Sequence, residues 1–517
     1  MSWPATVRHV AIIGSLFSAA YAHATPTDLD TSFGTNGIIS FPAAAISTLF
    51  APSSPTLAAL QADDKLLVVV GIEQTVAGAI NTSKISWQIR RYTSGGALDA
   101  SFGTGGITTL SFDVDFAGFR GNDYPGGLAL LPDGRFVIVG QSLGQCQFLG
   151  CVTSLVMARF NGNGTLDASF GINGKVVTNT LLGADAVVLQ SDGKIIVSAN
   201  QNIGRAQIWT VSLHRFNVDG TLDSGFSAAI ACAGNGGFRL APDGKVVLAT
   251  AIPALFADPA ANPGFCVSRL NADGTLDETF GTLGKTVVKA GVNVTLGDLF
   301  VDATGATTVV GRTTTAAVFR LSLGGTLDTQ FGTGGIVETG AAAKFSAVTG
   351  DCSLRTLVAA QGLGSGVFST ARLTRTGLID SAFAGTPNGF ALTNAGNAPS
   401  PIQLLLRPDG RVVAIAVDRS PGTLTIAQLL GDAPCVGSTG AMVVEFYNNN
   451  LLSYFITADP NEASAIDRGS AGPGWIRTGL SFKSGGSTSV CRFYGSLSPG
   501  PNSHFYTLAG PECIQLL

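Results

Sequence analysis

The chain has 517 residues with a formal net charge of −4, and 45% of its residues are apolar while only 12% are charged. This balance offers no basic field for nucleic acid or for an anionic membrane surface, so neither is an expected partner. Glycine is abundant, at 67 residues, and helix-favouring methionine is rare, at 3. The composition is typical of a large, turn-rich β protein.

The N-terminal segment 1–24 is typical of a secretory signal peptide. Arg8 precedes an apolar run at 10–22. Cleavage after Ala22 or Ala24 fits the A-x-A pattern. The run is about 13 residues long, too short to span a bilayer, and no later run of about 18 apolar residues follows. We therefore expect a secreted, periplasmic or cell-surface protein with no transmembrane span after cleavage, and a retained N-terminal anchor is the alternative.

Between residues 25 and 432 one motif recurs seven times, at intervals of 51 to 69 residues. Internal repetition of this kind indicates a repeat architecture. The copies are “LDTSFGTNG” (29–37), “LDASFGTGG” (98–106), “LDASFGING” (166–174), “LDSGFSAA” (222–229), “LDETFGTLG” (276–284), “LDTQFGTGG” (327–335) and “IDSAFAGT” (379–386).

A second element lies between consecutive copies, and it consists of an apolar run, an Asp-Gly-like pair and a β-branched run. Because Asp and Gly tolerate positive φ, this order predicts a β-hairpin with a two-residue turn. The clearest examples are “LALLPDGRFVIVG” (128–140), “AVVLQSDGKIIVSA” (186–199), “FRLAPDGKVVLAT” (238–250) and “LLLRPDGRVVAIA” (404–416), with weaker ones at 57–71, 299–311 and 348–360.

A third element, a strand with an arginine near its end, precedes most copies of the motif. With the short strand after each FG turn, one period carries four strands, which predicts an all-β, seven-bladed β-propeller over 25–432, with a β-solenoid as the alternative. The first copy lacks a preceding strand, and “LTIAQL” (424–429) lacks a following motif. The two ends are therefore predicted to complete one shared closing blade.

The run “RLNADGTLDETFGTLG” (269–284), combined with “PDGKVV” (242–247), resembles the delta-60 repeat of bacteria. The resemblance covers roughly residues 27–431. It implies a β-propeller in an exported or surface-associated protein, and it implies no particular activity.

Within each copy, Leu276 and Phe280 or their equivalents are predicted to pack between neighbouring sheets, where a buried apolar side chain contributes about 1.5–3 kcal/mol. Asp277 is expected to accept hydrogen bonds from backbone N–H groups of the following turn. A calcium loop is the alternative, although Asn271, Asp273 and Asp277 lack the spacing of an EF-hand loop. We expect no metal and no cofactor.

The strand arginine is the other repeated charge. It either pairs with the motif aspartate or marks the polar face of an alternating strand. A ring of arginines that faces a channel and binds an anion is the functional alternative. The positions are Arg91, Arg159, Arg215, Arg269, Arg320 and Arg372.

Signals for catalysis are weak. The segment “GQSLG” (140–144) matches G-x-S-x-G, but Ser142 follows a predicted strand and leads into a loop, whereas a nucleophile elbow leads into a helix. Beyond the signal segment the histidines are His214 and His504, and no H-E-x-x-H or C-x-x-C motif is present. We predict no catalytic residues and a protein that is not an enzyme.

The 8 cysteines agree with an oxidising compartment, in which an even number suggests disulfides. Cys146 and Cys151 are close enough in sequence to close a small loop, and Cys491 and Cys513 bracket the last segment. The pairing of the other cysteines is open: Cys232, Cys266, Cys352 and Cys435.

After a linker at 433–442 the pattern changes. The segment “VVEFYNNNLLSYFITADPNEASAI” (443–466) is echoed by “VCRFYGSLSPGPNSHFYTLAGPEC” (490–513), with “GPGWIRTGLSF” (472–482) between them. These residues resemble an uncharacterised repeat domain of exported bacterial proteins. Tyr454 replaces the usual histidine of the first copy, and we expect 443–517 to be a β-rich and incomplete copy of that domain.

The C-terminal domain is rich in aromatic residues. A small β domain needs such rings as core, whereas exposed rings beside polar groups stack on sugars. The ligand-binding candidates are Trp475, His504 and Tyr506. The leading hypothesis is an exported, monomeric, non-enzymatic binding or scaffold protein whose propeller loops and aromatic module contact a polysaccharide or a cell-surface protein. The alternative is an exported glycan-processing hydrolase or lyase with acids at the propeller channel.

Overall fold

The computed structural model describes residues between 25 and 508. The described ranges are 25–42, 57–75, 83–116, 119–147, 150–178, 183–203, 208–252 without 231, 233 and 235, 264–340 without 291 and 293, 344–418 without 352, 362–366, 387–388 and 395–399, 422–432, 442–450, 453–457, 463, 466, 471–483, 490–494 and 504–508. The predicted signal peptide, nearly all of the predicted linker and Cys352, Cys435 and Cys513 lie outside them.

In the described part of 38–429, seven antiparallel sheets of three or four strands follow one another along the chain, with one separate two-stranded hairpin between the first and the second. The elements of the first two sheets and the strand before them are β1 (Ile38–Pro42), then β2 (Ala58–Leu60), β3 (Leu66–Thr75), β4 (Ser83–Tyr92) and β5 (Ile107–Leu110), then a short hairpin of β6 (Asp115–Phe116) and β7 (Phe119–Arg120), then β8 (Asn122–Leu130), β9 (Phe136–Gln147), β10 (Gly150–Phe160) and β11 (Lys175–Thr178).

The third sheet has three strands in the described residues, and the fourth and fifth have four each. They are β12 (Ala184–Leu189), β13 (Ile195–Ile203) and β14 (Ile208–Phe216), then β15 (Gly236–Leu240), β16 (Val246–Ala251), β17 (Gly264–Leu270) and β18 (Lys285–Lys289), then β19 (Thr295–Val301), β20 (Thr307–Arg312), β21 (Ala316–Leu321) and β22 (Ile336–Glu338).

The sixth sheet also has four strands, with a short helix before its last strand. Its elements are β23 (Phe345–Gly350), β24 (Thr356–Gln361), β25 (Val367–Leu373), α1 (Ser381–Ala384) and β26 (Phe390–Asn394), and those of the seventh are β27 (Ser400–Leu406), β28 (Val412–Asp418) and β29 (Thr423–Leu429).

The seventh sheet takes its fourth strand from the other end of the chain. Strand β1 pairs with β29, so that Ile38 lies opposite Ala427. Next to this junction the carboxylate of Asp30 accepts hydrogen bonds from Arg411 at 2.9 Å and from Gln428 at 2.8 Å. The sequence analysis predicted that the two ends of the repeat region complete one shared sheet, and this pairing confirms the prediction.

The first strand of each sheet, called an inner strand below, contacts the inner strand of the next sheet. The contacts run from β2 through β8, β12, β15, β19, β23 and β27, and β27 contacts β2 again. Side chains reinforce this succession. Gln403 on β27 accepts hydrogen bonds from the N–H groups of Leu57 and Ala58 at 3.1 and 3.0 Å, and the Ser346 hydroxyl on β23 donates to the Pro401 carbonyl at 2.6 Å.

The hairpins form at the predicted places, but the prediction of two-residue turns is wrong. In the β8–β9 hairpin, the N–H of Leu131 donates to the carbonyl of Arg135 at 2.7 Å, which leaves three residues, 132–134, in the turn. Of these, Gly134 alone has a positive φ, +86°. The geometry is that of a type I turn followed by one left-handed residue.

The motif phenylalanine is buried between sheets, as predicted. Phe102, Phe170 and Phe280 are all fully buried. A Cβ atom at Gly164, in the turn before the next copy of the motif, would lie 2.8 Å from the ring of Phe102, so that turn can pack on the ring because it has a glycine there. The motif leucine is less buried than expected, and Leu222 is 47% exposed.

The C-terminal domain is also built of strands. A three-stranded sheet with the order β31-β30-β32 is followed by a separate hairpin of β33 and β34. Their bounds are β30 (Met442–Asn448), β31 (Ser453–Thr457), β32 (Trp475–Lys483), β33 (Val490–Tyr494) and β34 (His504–Leu508). Among the described residues, no helix has the length and apolar character needed to cross a bilayer.

Candidate functional site

The repeated arginine and the motif aspartate form a buried ion pair. Arg269 Nε lies 2.6 Å from Asp277 Oδ2, and the two side chains are 5% and 4% exposed. Lys245 of the preceding hairpin lies 2.9 Å from the same oxygen. Burial alone would raise the pKa of Asp277, but hydrogen bonds from Thr279, Lys245 and Arg269 hold that pKa well below its usual range.

The predicted role of Asp277 in its turn is also confirmed. Its Oδ1 accepts hydrogen bonds from the N–H of Thr279 at 3.2 Å and from the Thr279 hydroxyl at 2.6 Å. Arg269 Nη1 donates to the carbonyl of Leu323 at 2.7 Å, and Leu323 belongs to the turn before the next copy of the motif. The ion pair therefore ties its own turn to the neighbouring repeat.

The same pair recurs in five of the six other copies, and in the first copy Asp30 accepts hydrogen bonds from Gln428 and Arg411 instead. The pair's nitrogen–oxygen distances are 2.8 Å for Arg91–Asp99 and Arg159–Asp167, 2.9 Å for Arg215–Asp223, 3.2 Å for Arg320–Asp328 and 2.7 Å for Arg372–Asp380. Each arginine stands on the third strand of its sheet, and its guanidinium also lies over the motif phenylalanine, as Arg269 does over Phe280 at 4.8 Å. Four of these arginines also donate to a carbonyl in the turn before the next copy of the motif, and their position does not support a ring that faces a channel.

Two further sequence candidates are engaged in local structure. Asp273 Oδ1 accepts hydrogen bonds from the N–H and the hydroxyl of Thr275, at 2.9 and 2.7 Å, so it serves its own turn. Ser142 lies within β9, fully buried and opposite Ser154 of β10, which is not the geometry of a nucleophile elbow. Across the ranges that the structure describes, no group of three or more His, Cys, Asp or Glu side chains is arranged to hold a metal ion.

A cavity of about 160 Å³ opens between the inner strands β15 and β19. Its charged residues form an ion pair, with Arg239 Nη2 2.5 Å from Asp298 Oδ1 and side chains that are 28% and 6% exposed. Asp298 also accepts hydrogen bonds from the N–H groups of Leu299 at 2.8 Å and Val348 at 3.2 Å. Burial raises the pKa of Asp298, although Arg239 and the two N–H groups oppose that shift. Sequence reasoning missed this pair.

One disulfide is present in the described residues, and it joins Cys232 to Cys266. Cys266 lies on β17 opposite Thr250 of β16, which in turn lies opposite Gly236 of β15. Cys232 stands four residues before Gly236, so the disulfide ties the segment that enters β15 to the same sheet. Cys146 and Cys151 lie opposite each other on β9 and β10, as a small loop between them requires.

The three-stranded C-terminal sheet has a core face and an exposed aromatic face. On the core face, Phe455 packs against Trp475 with ring centroids 6.0 Å apart, and Phe446 is 1% exposed. On the other face, Tyr447 and Tyr454 lie opposite each other with ring centroids 4.7 Å apart. Tyr454 is 58% exposed, and Ile476, which pairs with Tyr447 from the third strand, is 51% exposed. Tyr447, Tyr454 and Ile476 are called the tyrosine face below.

The three residues chosen as ligand-binding candidates lie in different places. Trp475 is half-buried on the core face. His504 and Tyr506 lie on β34, and their side chains are outside the described part of the structure. In the β33–β34 hairpin, Tyr494 pairs with His504 just as Tyr447 pairs with Tyr454 in the first hairpin. His504 therefore holds the register position that Tyr454 holds in the first copy.

Comparisons with known proteins agree with a β-propeller. The segments 131–170, 190–226 and 241–280 match the family described as “Domain of unknown function (DUF5122) beta-propeller”. None of the curated proteins compared with the sequence matches it. The matches to the family support a β-propeller repeat protein.

Similarity to solved structures is distant. The polysaccharide lyase Uly1 is 12% identical, with a TM-score of 0.43 over 75% of this chain and 92% of that chain. PorZ, a surface component of the type-IX secretion system of Porphyromonas gingivalis, is 12% identical, with a TM-score of 0.36 over 90% of this chain and 60% of that chain. The Trypanosoma rangeli sialidase is 10% identical, with a TM-score of 0.35 over 73% and 55%. Scores this low carry no functional argument.

Proposed function

We propose that the seven sheets are the blades of one β-propeller and that the protein is an exported, non-enzymatic binding or scaffold protein whose C-terminal domain binds a cell-surface carbohydrate. The tyrosine face is the observation that carries the proposal. Its two aromatic rings are in contact with each other, and the Tyr454 ring is largely open to solvent.

Tyr454 is exposed and Tyr447 is half-buried, and both lie outside the core of the domain. The core of the sheet is already formed on the opposite face by Phe446, Phe455 and Trp475. Tyr447 and Tyr454 are therefore not needed as core. Tyrosine suits a contact with one apolar and one wet side, since the ring packs on apolar C–H groups and the hydroxyl forms hydrogen bonds. The C–H face of a sugar ring surrounded by hydroxyls has this character.

The second hairpin extends the proposed contact surface. His504 and Tyr506 occupy alternate positions of β34. In backbone register, His504 stands where Tyr454 stands on β31. We propose that His504 and Tyr506 contact the same carbohydrate, while Trp475 supports the sheet from its core face.

The enzymatic alternative finds little support in the inner-strand acids. Asp298 is paired with Arg239 at 2.5 Å. Asp123 on β8 is fully buried and accepts hydrogen bonds from the N–H of Phe112 at 2.9 Å and the Ser111 hydroxyl at 3.1 Å. Carboxylates that hydrolyse a glycosidic bond must instead reach the substrate as a pair.

Binding and turnover measured together on one polysaccharide panel test this function. The full chain is expected to bind at least one polysaccharide and to release no reducing ends from it. Tyr454→Ala should weaken binding roughly 2- to 10-fold, the equivalent of about 0.5–1.5 kcal/mol for one aromatic contact. The double variant Tyr447→Ala/Tyr454→Ala should remove it.

A matched control removes an exposed apolar side chain from the propeller region. Leu392 is 66% exposed on β26, and Leu392→Ala should leave binding unchanged. Equal binding by the wild type and the double tyrosine variant would rule out the tyrosine face as the site. Release of reducing ends by the wild type would favour the hydrolase alternative.

A further inference from the structure

We infer that the cavity between β15 and β19 is a second binding site, which holds one neutral sugar unit or polyol through a vicinal diol that bridges Arg239 and Asp298. The inference rests on the carbohydrate class proposed above, but it uses residues that have no part in the tyrosine face. Four observations lead to it.

The first observation is that the ion pair departs from the repeat. Positions in different sheets are matched by counting back from the last residue of each hairpin turn. The positions that match Arg239 and Asp298 carry no charge in any other sheet. The residues equivalent to Arg239 are Ala59, Ala129, Val188, Phe300, Thr349 and Leu405, and those equivalent to Asp298 are Leu57, Gly127, Ala186, Gly237, Ala347 and Gln403. Two opposite charges have thus replaced uncharged residues on adjacent inner strands, and they meet in one cavity.

The second observation is the size of the cavity. Gly236, Gly237, Ala249 and Ala251 leave space along the wall formed by β15 and β16. An apolar cavity of about 150 Å³ accommodates benzene, so a volume of about 160 Å³ suits a single ring. Gly236 also has a backbone reason to be small, because a Cβ there would lie 1.8 Å from the Ala249 carbonyl oxygen.

The third observation is the hydrogen-bonding capacity of the pair. Arg239 donates to Asp298 at 2.5 Å and to the Phe238 carbonyl at 2.9 Å, and a guanidinium has five N–H donors in all. Each carboxylate oxygen of Asp298 has two acceptor sites, and Oδ2 accepts from Val348 at 3.2 Å. The pair can therefore offer a donor and an acceptor side by side, as two adjacent hydroxyl groups require.

The charge of the pair selects a neutral ligand. Arg239 and Asp298 balance each other, so an anion in the cavity would meet the carboxylate and a cation would meet the guanidinium. A buried charge without a partner is strongly unfavourable, whereas a diol adds no charge. Val294, Leu296 and Val309 on the β19 side supply apolar contacts for the C–H groups of the ring.

The fourth observation is that the cavity wall is held in place by a covalent bond. Cys232 and Cys266 connect the chain before β15 to β17, and Cys266, Thr250 and Gly236 lie in one row across the fourth sheet. A pre-formed wall lowers the entropy lost when a ligand binds.

Ligand-observed NMR titration of the full chain with a set of methyl hexopyranosides, together with the polysaccharide panel, tests the site. We expect at least one methyl hexopyranoside to bind and its analogue without one hydroxyl of the diol to bind at least roughly tenfold more weakly. Ala251→Phe fills the cavity and leaves the ion pair intact, so it should remove binding. Arg239→Met should weaken binding by roughly tenfold or more, and Arg375→Met, at an exposed turn residue, should leave it unchanged.

Folding and ligand source are controlled separately. Because Ala251 is half-buried, Thr295→Phe at the exposed rim of the cavity provides a second obstruction that does not disturb packing. If only the polysaccharide binds, and if both obstructions remove that binding, the sugar unit is the end of a polysaccharide chain. Binding of the methyl glycoside would identify a free monosaccharide.

Outcomes for the two sites are distinguishable. If hexopyranoside binding survives both obstructions, or if none of the sugars binds in a way that depends on the cavity, the inference is overturned. If sugar binding is lost only in Tyr447→Ala/Tyr454→Ala, the inference fails and the proposed function stands. If the obstructions remove monosaccharide binding and the tyrosine variant keeps it, the cavity is a site in its own right.

Discussion

Leu283 offers a sharp test of the turn geometry, because replacing it with asparagine should stabilise the protein. Leu283 has a φ of +52° and is 69% exposed. Asn36 and Asn173 hold the same turn position in other copies, with φ of +52° and +53°. A left-handed conformation costs roughly 1–2 kcal/mol for an ordinary L-residue and less for asparagine, whose side chain bonds locally. Since little apolar burial is lost, Leu283→Asn should gain about 1 kcal/mol.

Thermal unfolding followed by calorimetry measures the gain. A change of 1 kcal/mol shifts Tm by about 2–4 °C in domains of 150–250 residues, and by less in a larger protein, so a rise of about 1–2 °C is expected. Leu323→Asn is the matched control, since Leu323 is 52% exposed and does not itself have a positive φ. The reasoning is refuted if Leu283→Asn has no higher Tm than the wild type, or if Leu323→Asn gains as much.

Three further outcomes can be measured by thermal or urea unfolding. Asp277→Ala leaves the Arg269 guanidinium buried without its partner and should cost about 3–5 kcal/mol, whereas the exposed Asp273→Ala should cost far less; equal losses would contradict a buried ion pair. Cys232→Ser/Cys266→Ser opens a link between residues separated by 34 positions and should lower stability by about 4 kcal/mol, and an unchanged Tm would show that the link contributes nothing. Aspartates Asp30, Asp99, Asp167 and Asp277 have folded pKa values below the unfolded value of about 3.9, so their stabilisation is complete above about pH 5 and is lost as the pH falls below about 4. A Tm that stays constant down to pH 2 would disprove that linkage.

Repetition made much of the fold predictable. Each copy of a hairpin or strand supports the assignment of the others, and the pairing of β1 with β29 follows from the missing halves of the first and last periods. The turn length was not predictable in the same way, because an Asp-Gly pair fits two-residue and three-residue turns alike. The third sheet has three strands rather than four in the described residues, and the sequence carries a signal for this difference. Its copy of the motif has Ile230 where other copies have Gly174 or Gly284. The carbonyl oxygens of these glycines accept a hydrogen bond from the backbone N–H of the strand arginine.

The candidate sites were less accessible to sequence reasoning. Arg239 and Asp298 are 59 residues apart, and they meet only because β15 and β19 are neighbouring inner strands. Their departure from the repeat was visible in the sequence, but its meaning depends on that adjacency. In the C-terminal domain, residue type alone suggests Trp475 as a ligand-binding residue. The alternation of side chains along β30 separates buried Phe446 from half-buried Tyr447, which lies on the face of exposed Tyr454, and this pattern points to the tyrosine face instead.

The shared seventh sheet also sets the order in which the chain can assemble. Asp30 and Gln428 are 398 residues apart, yet they bond directly beside the junction of β1 and β29. In a chain synthesised from its N-terminus, β1 emerges first and must wait for the strand that it pairs with. The entropic cost of closing a loop rises only slowly with its length, so the long stretch of chain between β1 and β29 adds little to the thermodynamic cost of pairing them. Until β1 pairs with it, β29 has an unpaired outer edge that can form hydrogen bonds with other chains. The pairing of β1 with β29 removes this aggregation hazard.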